Sequence, residues 1–561
     1  MSVEKQPSLD RKLVLQHSPL DGQAIKDLTA AAMTWLNTNK QTVNALNVFP
    51  VPDGDTGTNM MLTMQSAFDE IQNSPEVHAG KMFGAVAQGA LMGARGNSGV
   101  ILSQIWRGIA SAMKNESVVT GKNLTAAFAS ARDTAYKGVV RPVEGTILTV
   151  IKDVAAATGK AIDTDDDPVE ILEVAVQAAA ESVERTPDLL PVLKEAGVVD
   201  SGGKGLFFLL EGMVRWINNE PLDVALAEVK PLDAMQLDNT LAEIEEGQDY
   251  EVVVDFRPNS PLHLESFYAG LEEMGTSIQV GEGEGMYRMH IHVPTENRYI
   301  PIDYCMELGT VTNVAIENLM AQMAAIESTA VARIDLTPLE PGQIATVAVA
   351  PGPGIAKVFA SLGVAALVEG GQTMNPSTQD LLAAIEKAKS EQVIILPNNG
   401  NIIMAAQQAA TLAGPDKTVV VVPSKNVPQG ISALLALSPH AELSRNVEAM
   451  TETLDTVQTG EVTIAVQDAK LDGITVQSGE IIGLLNDNLS AKGSSSQDVV
   501  RQLLEQMDAA DMEVITLYYG QPVSGDEAVA LQQELVALYP NQEVEIVDGG
   551  QPFYHYIISA E

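Results

Sequence analysis

From residue 21 to about residue 220 the apolar residues of this chain recur at helical spacing and almost never alternate. Ile25, Leu28, Ala32 and Trp35 share one helical face, and Met60, Met64, Phe68 and Ile71 another. Met82, Val86 and Ala90 make a third stripe, and Val100, Ile101, Ile105, Trp106 and Ile109 a fourth. Further helices are expected across 168–185 and 203–218. A pattern of this period cannot settle as a sheet, so the first unit must be all-helical.

The period then changes. An acidic stretch over 225–245 reads as a connector. "YEVVVDF" (250–256), "SIQVG" (277–281) and "YRMHIHV" (287–293) read as strands, with helices expected over 263–274 and 312–326. From 343 onward "IATVAVA", "AALVEGG", "QVIILP" and "TVVVVP" are apolar runs separated by helices at 379–389, near 401–412 and at 427–437. Continuously apolar strands alternating with helices predict a parallel sheet covered on both faces. "EVTIAV", "EVITLYYG", "EVEIVDGG" and the final "YHYIISAE" repeat the theme. With 561 residues the chain exceeds one core. The expected fold is multidomain, with an all-α unit at 21–222, a small α+β unit at 246–328 and an α/β unit at 340–561.

Charge excludes several classes of partner. The chain carries 33 basic and 74 acidic residues, a net −41. That field repels nucleic acid, anionic membrane and free ATP alike, so a nucleotide site would need metal and backbone amides. The single cysteine, Cys305, excludes a disulfide framework and a cysteine metal cluster. The start lacks a sustained apolar run and no stretch suits a membrane span, so a cytoplasmic location is expected.

"NVFPVPDGDTGTNM" (47–60) crowds Asp53 and Asp55 behind two prolines at the mouth of a helix. Ionised, they offer only acceptor oxygens, the ligands that Mg²⁺ prefers. Pro50 and Pro52 stiffen the approach, and Thr56, Thr58 and Asn59 open the helix where anions gather. As a bare string this reads more readily as an acidic turn with a capping threonine in an exposed loop. "GARGNSGVI" (93–101) shifts the balance. Its Gly-rich loop runs into a helix and aims the amides of Asn97, Ser98 and Gly99 at whatever precedes it. Arg95 could add charge there. "RPVEGTILTV" and "GVVDSGGKGL" repeat the design of glycine and hydroxyl before a helix, and capping alone is a strained explanation for four such loops. No Walker A pattern is present.

These four motifs resemble the nucleotide-binding domain of the dihydroxyacetone-kinase L-subunit type. "EGGQTMNPSTQDLLAAI", "VIILPNNGNII" and "DGGQPFYHYIISAE" extend the resemblance to the ATP-binding subunit of bacterial fatty acid kinase, whose C-terminal domain is DegV-like. The resemblance implies a helical barrel whose loops hold ATP and two Mg²⁺ ions. Asp53 and Asp55 would bind metal and carry catalysis, with Asn47, a neutral residue where relatives place a third acid, as a weak ligand. Thr56, Thr58, Asn59, Asn97, Ser98 and Gly99 would contact phosphate, and Thr146, Asp200 and Gly202 would line the nucleotide. The implied product is an acyl phosphate made from a fatty acid carried by a separate DegV-like subunit, within a homodimer. A carboxylate acceptor is ionised near neutral pH and needs no base, only alignment and positive charge, with Arg141 or Lys204 as helpers. The alternatives are a dihydroxyacetone-type kinase and a nucleotide-regulated adaptor without catalysis.

Two further signals remain. In "MHIHV", His290 and His292 fall on one face of a strand, a two-point metal grip or two half-exposed histidines. The resemblance expects a cysteine on a neighbouring strand, but the chain has Tyr250 and Glu251. Glu251 could serve as an oxygen ligand; the missing cysteine counts against zinc, and any ion held there reads as structural. "VAPGPGIAKVF" (349–359) mimics a dinucleotide turn but lacks the third glycine, so a fold-stabilising turn is expected.

Overall fold

The structure is a computed structural model. It describes residues 12, 20–48, 54–164, 166–222, 230–231, 249–260, 262, 264–272, 274–283, 286–318, 334, 336, 338–340, 342–465, 469–471 and 474–561. The chain divides into two compact units, Met1–Asp223 together with Ile334–Glu561, and Val224–Arg333.

The helical part of the first unit comprises α1 (Gly22–Thr38), α2 (Lys40–Ala45), α3 (Thr56–Ile71), α4 (Ala79–Met92), α5 (Gly96–Met113) and α6 (Gly121–Gly138). It continues with α7 (Ile147–Ala161), α8 (Pro168–Glu184), the short α9 (Thr186–Leu189) and α10 (Pro191–Ala196), and α11 (Ser201–Ile217). Local signals set the starts. Asp21 accepts from the amides of Gln23 and Ala24 at α1, Thr120 and Asn123 form a capping box at α6, and Pro168 follows the cap Asp167 at α8. The expected stripes face one core. Trp35 is fully buried, with its Nε1 donating to Glu211 Oε2 at 2.7 Å. Full burial of such a side chain contributes roughly 2–3 kcal/mol. At Gly108 an added Cβ would lie 2.5 Å from Ala131 Cα, so only glycine lets α5 and α6 approach this closely. The helices surround an apolar cavity of about 70 Å³ lined by Leu28, Phe83, Leu102, Trp106, Phe128 and Leu206.

The second unit holds a five-stranded sheet made of β1 (Lys230–Pro231), β2 (Tyr250–Pro258), β3 (Thr276–Gly283), β4 (Met286–Val293) and β5 (Gly309–Asn318), in the order β1-β3-β4-β2-β5. Helices α12 (Leu264–Glu272) and α13 (Ile300–Leu308) accompany it. The helix expected over 312–326 is not formed. Residues up to 318 belong to β5, which pairs antiparallel with β2, and 319–326 lie outside the described residues. Val311, Thr312, Val314 and Ile316 are β-branched and suit an edge strand, where Val314 and Ile316 remain exposed. The expected connector lies outside the described residues apart from β1. Cys305 is buried on α13, and burial pushes its thiol up to about 12.

The α/β lobe of the first unit begins with β6 (Ala345–Ala350), α14 (Pro353–Ser361), β7 (Ala366–Glu369), α15 (Thr378–Lys387), β8 (Gln392–Leu396), α16 (Ile403–Leu412) and β9 (Thr418–Val421). The strand order is β7-β6-β8-β9 with every neighbouring pair parallel, as the apolar runs predict. The tail departs from expectation. Its strands are β10 (Gln458–Ile464), the paired short strands β11 (Ala469–Leu471) and β12 (Ile474–Val476), β13 (Ile481–Leu485), β14 (Asn488–Gly493), β15 (Val514–Tyr519), β16 (Glu543–Asp548) and β17 (Tyr556–Ala560). Six of them form a sheet in the order β14-β13-β10-β17-β15-β16, in which only β15–β16 is parallel. The reason is local: Asn486 and Asp487 both adopt positive φ (48° and 69°) and turn β13 tightly back into β14.

Candidate functional site

The polar loops converge at one end of the helical part on a pocket of about 250 Å³. Asn47, Asp55, Thr56, Asn59, Asn97, Ser98, Thr146, Asp200 and Gly202 all line it, residues drawn from four loops far apart in sequence. Asp53 lies outside the described residues. Thr58 and Gly99 are not part of the lining: Asn44 Nδ2 donates to Thr58 Oγ1 at 3.1 Å, and Gly99 packs against Thr63.

The decisive local feature is how α3 is capped. Asp55 occupies the N-cap position yet makes no cap hydrogen bond with its side chain. Asn44 Oδ1 takes that role, accepting from the amides of Gly57 at 2.7 Å and Thr58 at 3.2 Å. Asp55 is also only 6% exposed, against the expectation of a surface loop. A buried carboxylate not used by its own helix is costly unless something outside that helix balances it. The simple reading of an acidic turn with a cap therefore fails for Asp55. It survives in part for Thr146 and Asp200, which do cap α7 and α11.

Around Asp55 the hydroxyls form a small network. Thr56 Oγ1 donates to Asn47 Oδ1 at 2.8 Å, and Ser201 Oγ donates to Thr56 Oγ1 at 3.2 Å. Asn47 thus orients a hydroxyl. Ser201, inside "VDSGG", is a lining residue that the sequence did not single out. At α5 no side chain caps the first turn, and Gly96 takes φ +57° to bring the chain into the helix. That leaves an amide-rich helix start facing the pocket, an anion site by construction. Among the described residues, Arg141 is the one basic side chain in the lining. Lys204 is instead drawn over the rings of Phe207 and Phe208, at 4.8 and 5.1 Å from their centroids.

The α/β lobe closes the mouth. Asn401 and Met404 line the pocket from that side. Asn375 Nδ2 donates to Asp55 Oδ2 at 2.6 Å, and Asn97 Nδ2 donates to Asn401 Oδ1 at 2.9 Å. These contacts span more than 300 residues of sequence, and no local signal announces them.

In the second unit Glu251 faces His292 in the β2–β4 register, and His290 Nε2 lies 3.0 Å from Glu251 Oε1. One ligand atom each from Glu251, His290 and His292 fall within 4.8 Å of one another. His290 holds the Glu251 carboxyl below its usual range despite burial. Two imidazoles and a carboxylate fit a borderline divalent ion. The dinucleotide-like turn is structural: the amides of Gly354 and Ile355 both donate to Gly549 O at 3.1 Å, so that helix start is already filled.

An all-helical domain with a polar, amide-rich pocket at one end, followed by α/β lobes, defines the class of DAK2-domain proteins, and the DAK2 family model matches residues 50–215. Two models of the FakA-like fatty acid kinase family match further along the chain, the middle-domain model at residues 247–326 and the C-terminal model at residues 345–561. The chain belongs to this FakA-like family. It is 39% identical to Protein YloV of Bacillus subtilis (strain 168), over 97% of this chain and 99% of that one. Among solved structures, a fatty-acid-binding DegV family protein from Thermus thermophilus is similar at 15% identity and TM-score 0.30, covering 39% of this chain and 99% of that one. The dihydroxyacetone kinase from C. freundii with AMP-PNP and Mg²⁺ is similar at 15% identity and TM-score 0.28, covering 38% and 37%. No helix among the described residues is long and apolar enough to cross a membrane.

Asp200 supplies a titration prediction. Burial raises its carboxyl to about 6, with the Gly203 amide opposing. A raised folded value means the protonated form favours the fold, and this contribution fades as pH rises toward about 6. Relative to Asp200→Asn, the natural chain should therefore lose on the order of 3 kcal/mol of stability between about pH 4 and pH 6, and nothing further above. Denaturant unfolding of both proteins across that range checks it; parallel pH profiles would refute it.

Proposed function

We propose that the chain is the ATP-binding kinase subunit of a fatty acid kinase, transferring the γ-phosphoryl group of ATP to a fatty-acid carboxylate presented by a separate DegV-like subunit. The observation that carries this reading is the buried Asp55 carboxylate, released from capping by Asn44, at a pocket whose other walls are amides and hydroxyls. Family membership supplies the acceptor class.

The acceptor carboxylate is already ionised near neutral pH, so the site needs no general base. One of its oxygens attacks the γ-phosphorus, the bond to the bridging oxygen breaks, and ADP leaves with that electron pair. Mg²⁺ held by Asp55, with Asp53 and Asn47 as the further ligands the resemblance implies, supplies positive charge on the phosphates. The residues of the chain do the positioning. The α5 amides and the side chains of Asn97 and Ser98 bind phosphate oxygens, Thr56 and Asn59 do so from α3, and Arg141 adds charge. Thr146, Asp200 and Gly202 shape the nucleotide wall. In the second unit, Glu251, His290 and His292 hold a structural zinc ion. The protein acts as a homodimer.

Trapping the acyl phosphate with hydroxylamine, given Mg-ATP, fatty acid and a DegV-like subunit, tests the main claim. Asp55→Asn should lower hydroxamate yield by roughly 100-fold or more. Undiminished yield would end the metal reading. Phosphorylation of glycerone instead would favour a dihydroxyacetone-type kinase, and ATP binding without product under any partner would favour an adaptor. For the second unit, metal-free protein should take up about one zinc ion per chain with a rise in melting temperature, and His290→Ala should lose both effects. An unchanged melt with zinc would remove that ion from the account.

A further inference from the structure

The α/β lobe meets the pocket with groups that complement a metal–phosphate ligand. Asn375 places an N–H donor against Asp55 Oδ2 at 2.6 Å, where the proposed function puts a cation. Asn401 places a carbonyl acceptor against the Asn97 amide at 2.9 Å, where it puts a phosphate oxygen. A hydrogen-bond donor is the neutral counterpart of a cation, and an acceptor the neutral counterpart of an anionic oxygen. Both asparagines are buried. They come from different segments of the lobe, the loop before α15 and the turn before α16, so the match is not a single accident.

The seam around them is polar and easily parted. Arg95 Nη1 donates to Asn375 O at 2.9 Å, the Thr378 amide to Ala94 O at 3.2 Å, and Gln104 Nε2 to Gln408 Oε1 at 3.1 Å. Beside it lies an open cleft of about 390 Å³ lined by Gln104, Arg107, Lys137, Met404 and Gln408. Among the described residues, Asn375 Oδ1 is buried with no donor, which weighs against the docked state. Polar contacts of this kind between lobes favour relative motion.

We propose that the α/β lobe is an intramolecular plug of the nucleotide pocket, with Asn375 standing in for the cation and Asn401 for a phosphate oxygen, so that lobe docking and Mg-nucleotide binding exclude each other. The inference rests on the nucleotide reading above. By linkage, the apparent affinity for Mg-ATP is reduced by the docked fraction, and Mg-ATP in turn drives the lobe off.

The test uses the full chain, as purified and as Asn375→Ala, Asn401→Ala and Gln408→Ala. Gln408 meets Gln104 across the seam and does not line the pocket, so it reports on docking alone. Calorimetric titration of Mg-ATP should show binding about 3- to 10-fold tighter in each variant, since the competitor is weakened. Small-angle scattering should show the natural chain expanding on addition of Mg-ATP, and the variants expanded before it. Circular dichroism identifies any variant that has not folded, and the remaining variants decide. Unchanged or weaker Mg-ATP binding in the variants overturns the plug, and weaker binding makes the asparagines ligands instead. No Mg-ATP binding by any form, the natural chain included, overturns the nucleotide reading and the plug with it.

Discussion

The site depends on one exchange of roles at the start of α3. Asn44, reaching from α2, accepts the two amide hydrogens that the N-cap residue would ordinarily take. Asp55 therefore carries a buried negative charge that its own helix does not use. Every other part of the pocket is arranged around that charge. Asn47 and Ser201 fix the Thr56 hydroxyl beside it, and the uncapped start of α5 faces the same space with its amides. The α/β lobe reaches across to satisfy it with an amide donor.

Charge explains why such a device is needed. A chain of net charge −41 repels a polyphosphate at every approach, and the described lining of the pocket holds two acids and one arginine. Helix amides supply partial positive charge without adding to the charged surface. They cannot offset several phosphate charges alone, so a carboxylate-bound cation and the amide cradle belong to one solution. The same shortage of positive charge favours an acceptor that is already deprotonated, because no nearby base has to compete for a proton.

Much of this was legible in the sequence, for physical reasons. The helical period before residue 220 and the apolar runs after 343 each reflect burial, and burial writes itself into spacing. The four glycine–hydroxyl loops marked the pocket because helix starts need small and polar residues wherever they meet anions. What escaped was decided by distant partners. β5 carries residues compatible with either element, and pairing with β2 chose the strand. The tail sheet was turned antiparallel by the positive φ values of Asn486 and Asp487. Asn375 and Asn401 reach the pocket only through packing of two lobes, and Lys204 left it for the faces of Phe207 and Phe208. The exposure of the Asp55 loop was misjudged because polar residues were equated with surface, whereas here they line an enclosed pocket.

The central claim is that this acidic pocket holds a nucleotide only as its metal complex. Equilibrium binding of ATP to the intact chain, titrated once with Mg²⁺ and once in excess chelator, tests it most directly. The account predicts saturable binding with Mg²⁺ and a loss of at least about tenfold in affinity without it, since each 1.4 kcal/mol of uncompensated repulsion is a factor of about ten. Equal affinity in the two titrations would contradict it.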